Sequence, residues 1–337
     1  MKKIFIWLFI MLAMTAGMTV YGEASPQQEN ALRQDSTVDV IGWFNKYDTV
    51  TYWVDNSSWK INGTDTVRTG SFLMKMRINV VDSTAEGYKM NCTFLEFPED
   101  SLPESATSMV RFQNRVVAKL GQKIAGTTVC FETDECGRIT EYKNLGKIKK
   151  QAKSLFKDAM KEFSLLPEIQ ELKKMGFNIM SYAEKVDTDR LVEGYLEELN
   201  LLFMFHGKSM RAGEFTEHED ATETQYENTT YWSAFVDDED DSYQIVFDVT
   251  SILPQSELKK LVGGVVDSFS NDSITESFNK NFDTQVIDNG IYEDYLKTIY
   301  LYNGWPYYVV REKTTTIGDR GKINQTLIII DSYHFAR

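Results

Sequence analysis

The sequence predicts an α+β fold: curved antiparallel β-sheet, half-barrel-like, with amphipathic helices packed on its apolar face. Three observations carry that expectation. Residues 72–81 alternate apolar and polar side chains, and 88–94 resume the alternation after a short polar turn, which is the pattern of a half-buried antiparallel hairpin. Apolar residues fall at helical spacing over 105–124, 148–163 and 191–203, between the strand-like runs. The regular strand–helix alternation of a parallel, doubly wound sheet is missing.

The chain opens with Met1-Lys2-Lys3, an apolar run from Ile4 to about Met18, and small residues at Gly22 and Ala24. A basic start, a short apolar centre and a small-residue exit predict a secretory signal peptide over 1–22. The apolar run is shorter than the ~20 residues a spanning helix needs. Cysteine first occurs at Cys92, so a lipid-modified N-terminal cysteine is not expected. The expected location is therefore the periplasm or the outside of the cell. Residues 23–38 are polar and read as a flexible lead-in. The next unit spans 39–206, with hairpins and a helical block. A second, 207–337, runs hairpin, helix and meander and is expected to share one core with the first.

From Tyr47, Val50, Tyr52 and Val54 predict a strand, Asp55-Asn56-Ser57-Ser58 a turn, and Trp59 and Ile61 a second strand. The hairpin Phe72–Val81 and Tyr88–Phe94 follows. A helix is expected over 105–124, ended by Gly126. Val129 and Phe131 lead to the turn Asp134-Glu135-Cys136-Gly137, and Ile139–Tyr142 return as a strand. Ile148, Ala152, Leu155, Phe156, Ala159 and Phe163 mark a helix whose other faces carry lysines. Pro167 suits the first turn of a helix reaching Lys174. Asp187 or Thr188 caps another that Gly207 stops. Residues 208–227 turn polar and acidic, the best internal boundary. Strands are then expected at 232–236 and 243–249, a helix from Pro254 to Phe269, and strands at 295–302, 307–317 and 323–333, with turns at Asn303-Gly304 and Gly318–Gly321.

The formal net charge is −14 over 337 residues, and loss of Lys2 and Lys3 with the signal makes it −16. So acidic a surface excludes nucleic acid, and anionic membrane as a general partner. The helix Lys147–Phe163 is the local exception, basic enough to rest on a membrane surface or an acidic partner, although lysines also form the wet face of a docked helix. Three cysteines, Cys92, Cys130 and Cys136, allow at most one bridge, so stability must come from the core.

Catalytic chemistry is poorly supported. His206, His218 and His334 share no motif, and neither a zinc-binding His pair, a nucleophile elbow, a glycine-rich phosphate loop nor a Cys-x-x-Cys occurs. No catalytic residue, metal ligand or cofactor is assigned. Fifty acidic residues bring carboxylates together in any fold, so a hydrolytic pair carries little specificity. The run Asp237–Asp241 lacks the alternating rhythm of a calcium loop and reads as a solvated hairpin tip. The segment Leu199–Phe205 is apolar on all sides and must be buried or face an apolar molecule. Met74, Met76, Met90, Leu202, Phe203 and Phe205 are the candidate lining for an apolar or lipid-like ligand, methionine and aromatic walls being adaptable. The alternative site is an aromatic surface of Trp53, Trp59 and Trp305 that stacks on glycan or protein.

The signal, the Thr133-Asp134-Glu135-Cys136-Gly137-Arg138-Ile139 turn with Asn144 after it, and the Asn303-Gly304-Trp305-Pro306 turn resemble those of a family of exported Bacteroidota-type proteins with a domain of unknown function. That resemblance implies export and brings no catalytic residues. In architecture the chain looks more loosely like the periplasmic lipoprotein-carrier half-barrels, whose curved antiparallel sheet is plugged by helices around an acyl-binding cavity. The expectation is a non-catalytic exported binding protein.

Overall fold

The computed structural model describes residues 37–98, 121–165, 167–174, 188–222, 226–237, 242–256 and 289–336, with a few isolated positions between them. The signal segment, most of the helix expected at 105–124 and that expected after Pro254 lie outside the described residues. Residues 121–124 are helical, and Gly126 turns the chain with φ +84°.

Among the described residues, eleven strands form one open, curved antiparallel sheet. They are β2 (Thr49–Asn62), β3 (Asp65–Thr84), β4 (Gly87–Glu96), β5 (Thr128–Thr133), β6 (Ile139–Tyr142), β8 (Gly213–Glu219), β9 (Glu227–Val236), β10 (Tyr243–Leu253), β11 (Gly290–Tyr300), β12 (Pro306–Ile317) and β13 (Arg320–His334). The order across the sheet is β6-β5-β4-β3-β2-β13-β12-β11-β10-β9-β8. A short pair, β1 (Thr37–Asp39) with β7 (Ser209–Arg211), is not hydrogen-bonded into it but packs beside β9, with Val38 in the shared core. Three helices complete the described part: α1 (Leu145–Ser164), α2 (Pro167–Lys174) and α3 (Thr188–Phe203). The architecture is thus more β-rich than an even α+β mixture. The hairpins supply most of the surface that must be buried, and the helices act as its cover.

Most neighbours in the order are joined by local hairpins, β4 and β5 and likewise β10 and β11 are separated by more than 30 residues of sequence, and β2 and β13 by most of the chain. β2 pairs with β13 along almost its whole length, from Asn62 opposite Arg320 to Thr49 opposite His334. The first and last long strands therefore fuse the two halves of the chain into one sheet.

The expected turn at Asp55–Ser58 is not made. β2 runs straight through it, because each polar residue finds a partner beside it in the sheet. Arg68 donates to Asp55 at 3.2 Å, to Ser57 at 2.6 Å and to Ser71 at 2.7 Å on one face. On the other face Thr326 donates to Asn56 at 2.6 Å and Ser58 to Asn324 at 2.9 Å. Satisfied hydrogen bonds override local turn preference. The acidic stretch 208–227 likewise contains β7 and β8, and β8 forms one edge of the sheet. Its glutamates, Glu214, Glu217 and Glu219, discourage a further chain from adding to that edge.

Alternation along the strands gives the sheet two distinct faces. One carries Val50, Tyr52, Val54, Met74, Met76, Ile78, Met90, Cys92 and Phe94, all buried, and meets Leu199, Leu202, Phe203 and Phe205 of the α3 region in one core. We call it the inner face.

The segment after β1 ties the ends of this layer together. Val40 donates to Lys208 O at 3.0 Å, Gly42 to Cys136 O at 2.8 Å and Trp43 to Asn303 O at 2.9 Å. Phe44 packs its ring against Tyr88, Phe203, His206 and Trp305, with centroids 4.4–6.2 Å apart. The turns 134–137 and 303–305 thus meet at one node. Gly304 has φ +81°, and a Cβ there would lie 2.2 Å from Ile41 O, inside backbone that cannot yield cheaply. Gly304→Ala is expected to lower unfolding free energy in urea by about 3 kcal/mol or more. Gly126→Ala, also at positive φ but with nothing within 4 Å of the added carbon, should lose about 1–2 kcal/mol. Equal losses would show that the node is not tightly built.

Candidate functional site

The inner face is built in rows that cross the strands. Met74, Val54, Ile328, Val309, Thr298, Ile245 and Ala234 lie opposite one another in successive strands, and each is at most 3% exposed. The neighbouring positions Tyr52, Met76 and Phe94 continue the apolar surface, as do Ile78 with Cys92 and Val80 with Met90. Cys92 Sγ lies 3.9 Å from Met76 Sδ, so the middle of the face is soft and sulfur-rich. Burial pushes the Cys92 thiol up to about 12, which keeps it protonated and unreactive.

The sequence-derived lining residues come together here. Met74, Met76, Met90, Leu202, Phe203 and Phe205 are between 0% and 5% exposed and belong to the same core. Phe203 packs edge-on to Phe131 at 5.5 Å. These side chains fill the space between sheet and α3. Beside them, between β4 and α1, lies a depression of about 10 Å³ walled by Phe94, Ile124, Ile148, Ala152 and Leu155, with Thr127 and Gln151 at its rim. That is room for about one water molecule. It reaches Phe94, the cross-strand partner of Met76.

Two residues further along the strands the same face changes character. Asn56, Thr326 and Arg311 occupy one row, and Ser58, Asn324, Lys313 and Asp294 the next. Arg311 grips Asp294 through two bonds, of 2.8 and 2.5 Å, and Tyr292 donates to the same carboxylate at 3.3 Å. α3 meets this polar end with two adjacent acids. Glu197 pairs with Lys313 at 3.3 Å, and Glu198 accepts a 2.8 Å hydrogen bond from Asn56. Sequence reasoning missed this patch. Its members lie in four separate segments, and the strand register is what assembles them.

The tryptophans do not form one surface. Trp305 is fully buried against Phe44 and Phe203, which corrects its expected place among exposed aromatics. The turn that holds it folds inward because Leu301 N donates to Trp305 O and Gly304 N to Leu301 O. Trp53 and Trp59 lie half-buried on the outer face, each beside a cation: Lys75 Nζ is 4.8 Å from the Trp53 ring and Arg68 6.0 Å from that of Trp59. Trp53 also donates to Asp331 at 3.0 Å.

The histidines are equally separate. His206 is buried with Nε2 3.0 Å from Gly304 O, His218 is exposed beside Thr229, and His334 is exposed at the end of β13. Among the described residues no group of three or more His, Cys, Asp or Glu could hold a metal ion. All three cysteines are free thiols.

No family model and no curated protein matches the chain. A solved structure titled "lipid-protein interactions in lipovitellin" is similar at a TM-score of 0.38 and 12% identity, over 87% of this chain and 26% of that one. The chain spans about a quarter of that protein's length, and the likeness is too loose to decide fold or ligand.

Burial pushes the Glu198 carboxyl up to about 7, against the lowering pull of the Asn56 hydrogen bond. The folded state therefore holds this proton more tightly than the unfolded chain does. The contribution to stability is intact below about pH 4.5 and is lost as pH rises to about 7, a change of about 3 kcal/mol. Burial acts on His206 in the opposite sense, lowering it to about 4, so its contribution is intact above pH 6.5 and is lost as pH falls toward 4. Glu198→Gln keeps an acceptor for Asn56 without a buried charge. Urea midpoints should show it more stable than the parent at pH 8, by up to about 3 kcal/mol, and level with it at pH 4.5. The same difference at both pH values would contradict this account.

Proposed function

We propose that the protein is an exported, non-catalytic binding protein that takes an apolar or lipid-like molecule between the inner face of its sheet and the helices α1 and α3. The observation that carries this reading is the inner face itself. A buried row seven strands wide, apolar except for Thr298 and flanked by further methionines and Cys92, meets helices and the short β1–β7 pair rather than a second large sheet. Helices held by side-chain packing can be displaced as a unit, while the sheet keeps its own hydrogen bonds. The depression bounded by Phe94, Ile124, Ile148, Ala152 and Leu155 marks the seam along which such a molecule would enter. The closed form described here has its methionines packed, so uptake requires the helical cover to move.

α1 also carries exposed lysines, Lys147, Lys150, Lys153, Lys157 and Lys161, most of them on the side of the helix opposite Ile148, Ala152 and Leu155. They suit contact with an anionic membrane surface or acidic partner during exchange. An aromatic surface for glycan or protein is the weaker reading, because Trp53 and Trp59 already stand against cations and Trp305 is buried.

Native mass spectrometry of protein purified without detergent from its own cells tests the reading. The expected result is the added mass of one acyl-chain compound, and stripped protein should take up a fluorescent fatty probe one to one. Protein that carries no such mass and takes up no probe would overturn it.

A further inference from the structure

We infer that the molecule bound on the inner face is a single-chain amphiphile with an anionic head, and that α3 occupies its place in the closed form. This rests on the proposed binding function and adds the chemistry of the ligand. The inner face is itself amphiphilic. It is apolar from Val54, Met74 and Ile328 onward and polar from Asn56, Thr326 and Arg311 in the other direction. The distance along β2 from Asn56 to Val50 is ~20 Å at the usual rise of a strand, the scale of a long acyl chain.

α3 matches that pattern. Its Glu197 and Glu198 lie over the polar end, while Leu199, Leu202 and Phe203 lie in the apolar core. Two cations of the sheet, Arg311 and Lys313, face one sheet carboxylate, Asp294, and Glu197 supplies the second negative charge. Glu197 acts electrostatically on Arg311 and Tyr292 as well as on Lys313. Its carboxylate therefore stands where a carboxylate or phosphate head would stand. The Glu197 side chain is 48% exposed and Lys313 18%, so the acid is the partner that can leave to water. When α3 leaves and takes Glu197 and Glu198 with it, Arg311 and Lys313 face Asp294 alone, and that net positive charge in a largely buried setting favours an anion over a neutral head.

The test compares three probes of equal chain length at pH 8: hexadecanoate, hexadecyl phosphate and hexadecanol. The parent protein should bind at least one of the anionic probes tenfold or more tightly than the alcohol. Lys313→Met should reduce that ratio about tenfold. Glu197→Gln, which loosens the hold of α3 on the patch, should tighten all three probes severalfold and leave the ratio unchanged. Because one variant weakens the anions selectively and the other tightens every probe, a general loss of folding cannot imitate the result, and thermal melts confirm that both are folded. If the alcohol binds as tightly as both anions, and Lys313→Met does not change the ratio, the anionic head is wrong while the apolar site stands. If none of the three probes binds, the binding function itself fails, and this inference with it.

Discussion

The pairing of β2 with β13 is the constraint from which the rest of the structure follows. It joins segments that are more than 250 residues apart, from Asn62 opposite Arg320 to Thr49 opposite His334. Without it the chain would be two sheets, each with an unpaired central edge and half of an inner face. With it, Val54 and Ile328 become neighbours, and the buried row, apolar except for Thr298, extends from Met74 to Ala234. Closing so long a loop carries an entropic penalty that grows only slowly with length, and two fully paired strands offset it. The node around Phe44 then fixes the helical layer at one end. There His206, the 134–137 turn and the 303–305 turn are held by the same short segment.

This arrangement gives the inner face two kinds of surface. At the node end, aromatic rings pack around the buried His206 ring, and the methionines lie in the same core. At the far end, Asn56, Thr326, Arg311, Lys313 and Asp294 hydrogen-bond and pair with one another and with the acids of α3. α3 thus adheres by apolar burial on one side and by exchangeable polar contacts on the other. Such a cover is well suited to being lifted from its polar end. Glu198 and His206, both buried, bear on opposite ends of that cover and respond to pH in opposite senses.

Much of the sheet could be read from alternation alone. Phe72–Val81 and Tyr88–Phe94 repeat every second residue, and the observed strands β3 and β4 extend that run at both ends. The helix marked by Ile148, Ala152 and Leu155 was equally plain, since its apolar positions recur at helical spacing. What alternation could not show was partnership. Asp55-Asn56-Ser57-Ser58 has the composition of a turn and becomes mid-strand because Arg68, Thr326 and Asn324 are waiting on either side. Trp305 sits in a turn whose neighbours promise exposure, yet the Phe44 node draws it inside. That Met74, Met76 and Met90 share one buried face was legible because they sit in one hairpin. The polar patch was not, since only the register of the β11–β12–β13 meander against the distant β2 brings Asn56, Asp294, Arg311 and Lys313 together.

The central claim is that the helical cover opens as a unit while the sheet fused by β2 and β13 stays intact. Native-state hydrogen exchange at increasing sub-denaturing urea tests it most directly. The account predicts that amides of α1 and α3 exchange together through an opening well below the global unfolding free energy, whereas those of β2, β3 and β13 exchange only on global unfolding. Exchange of helices and central strands in a single cooperative step, at one free energy, would contradict it.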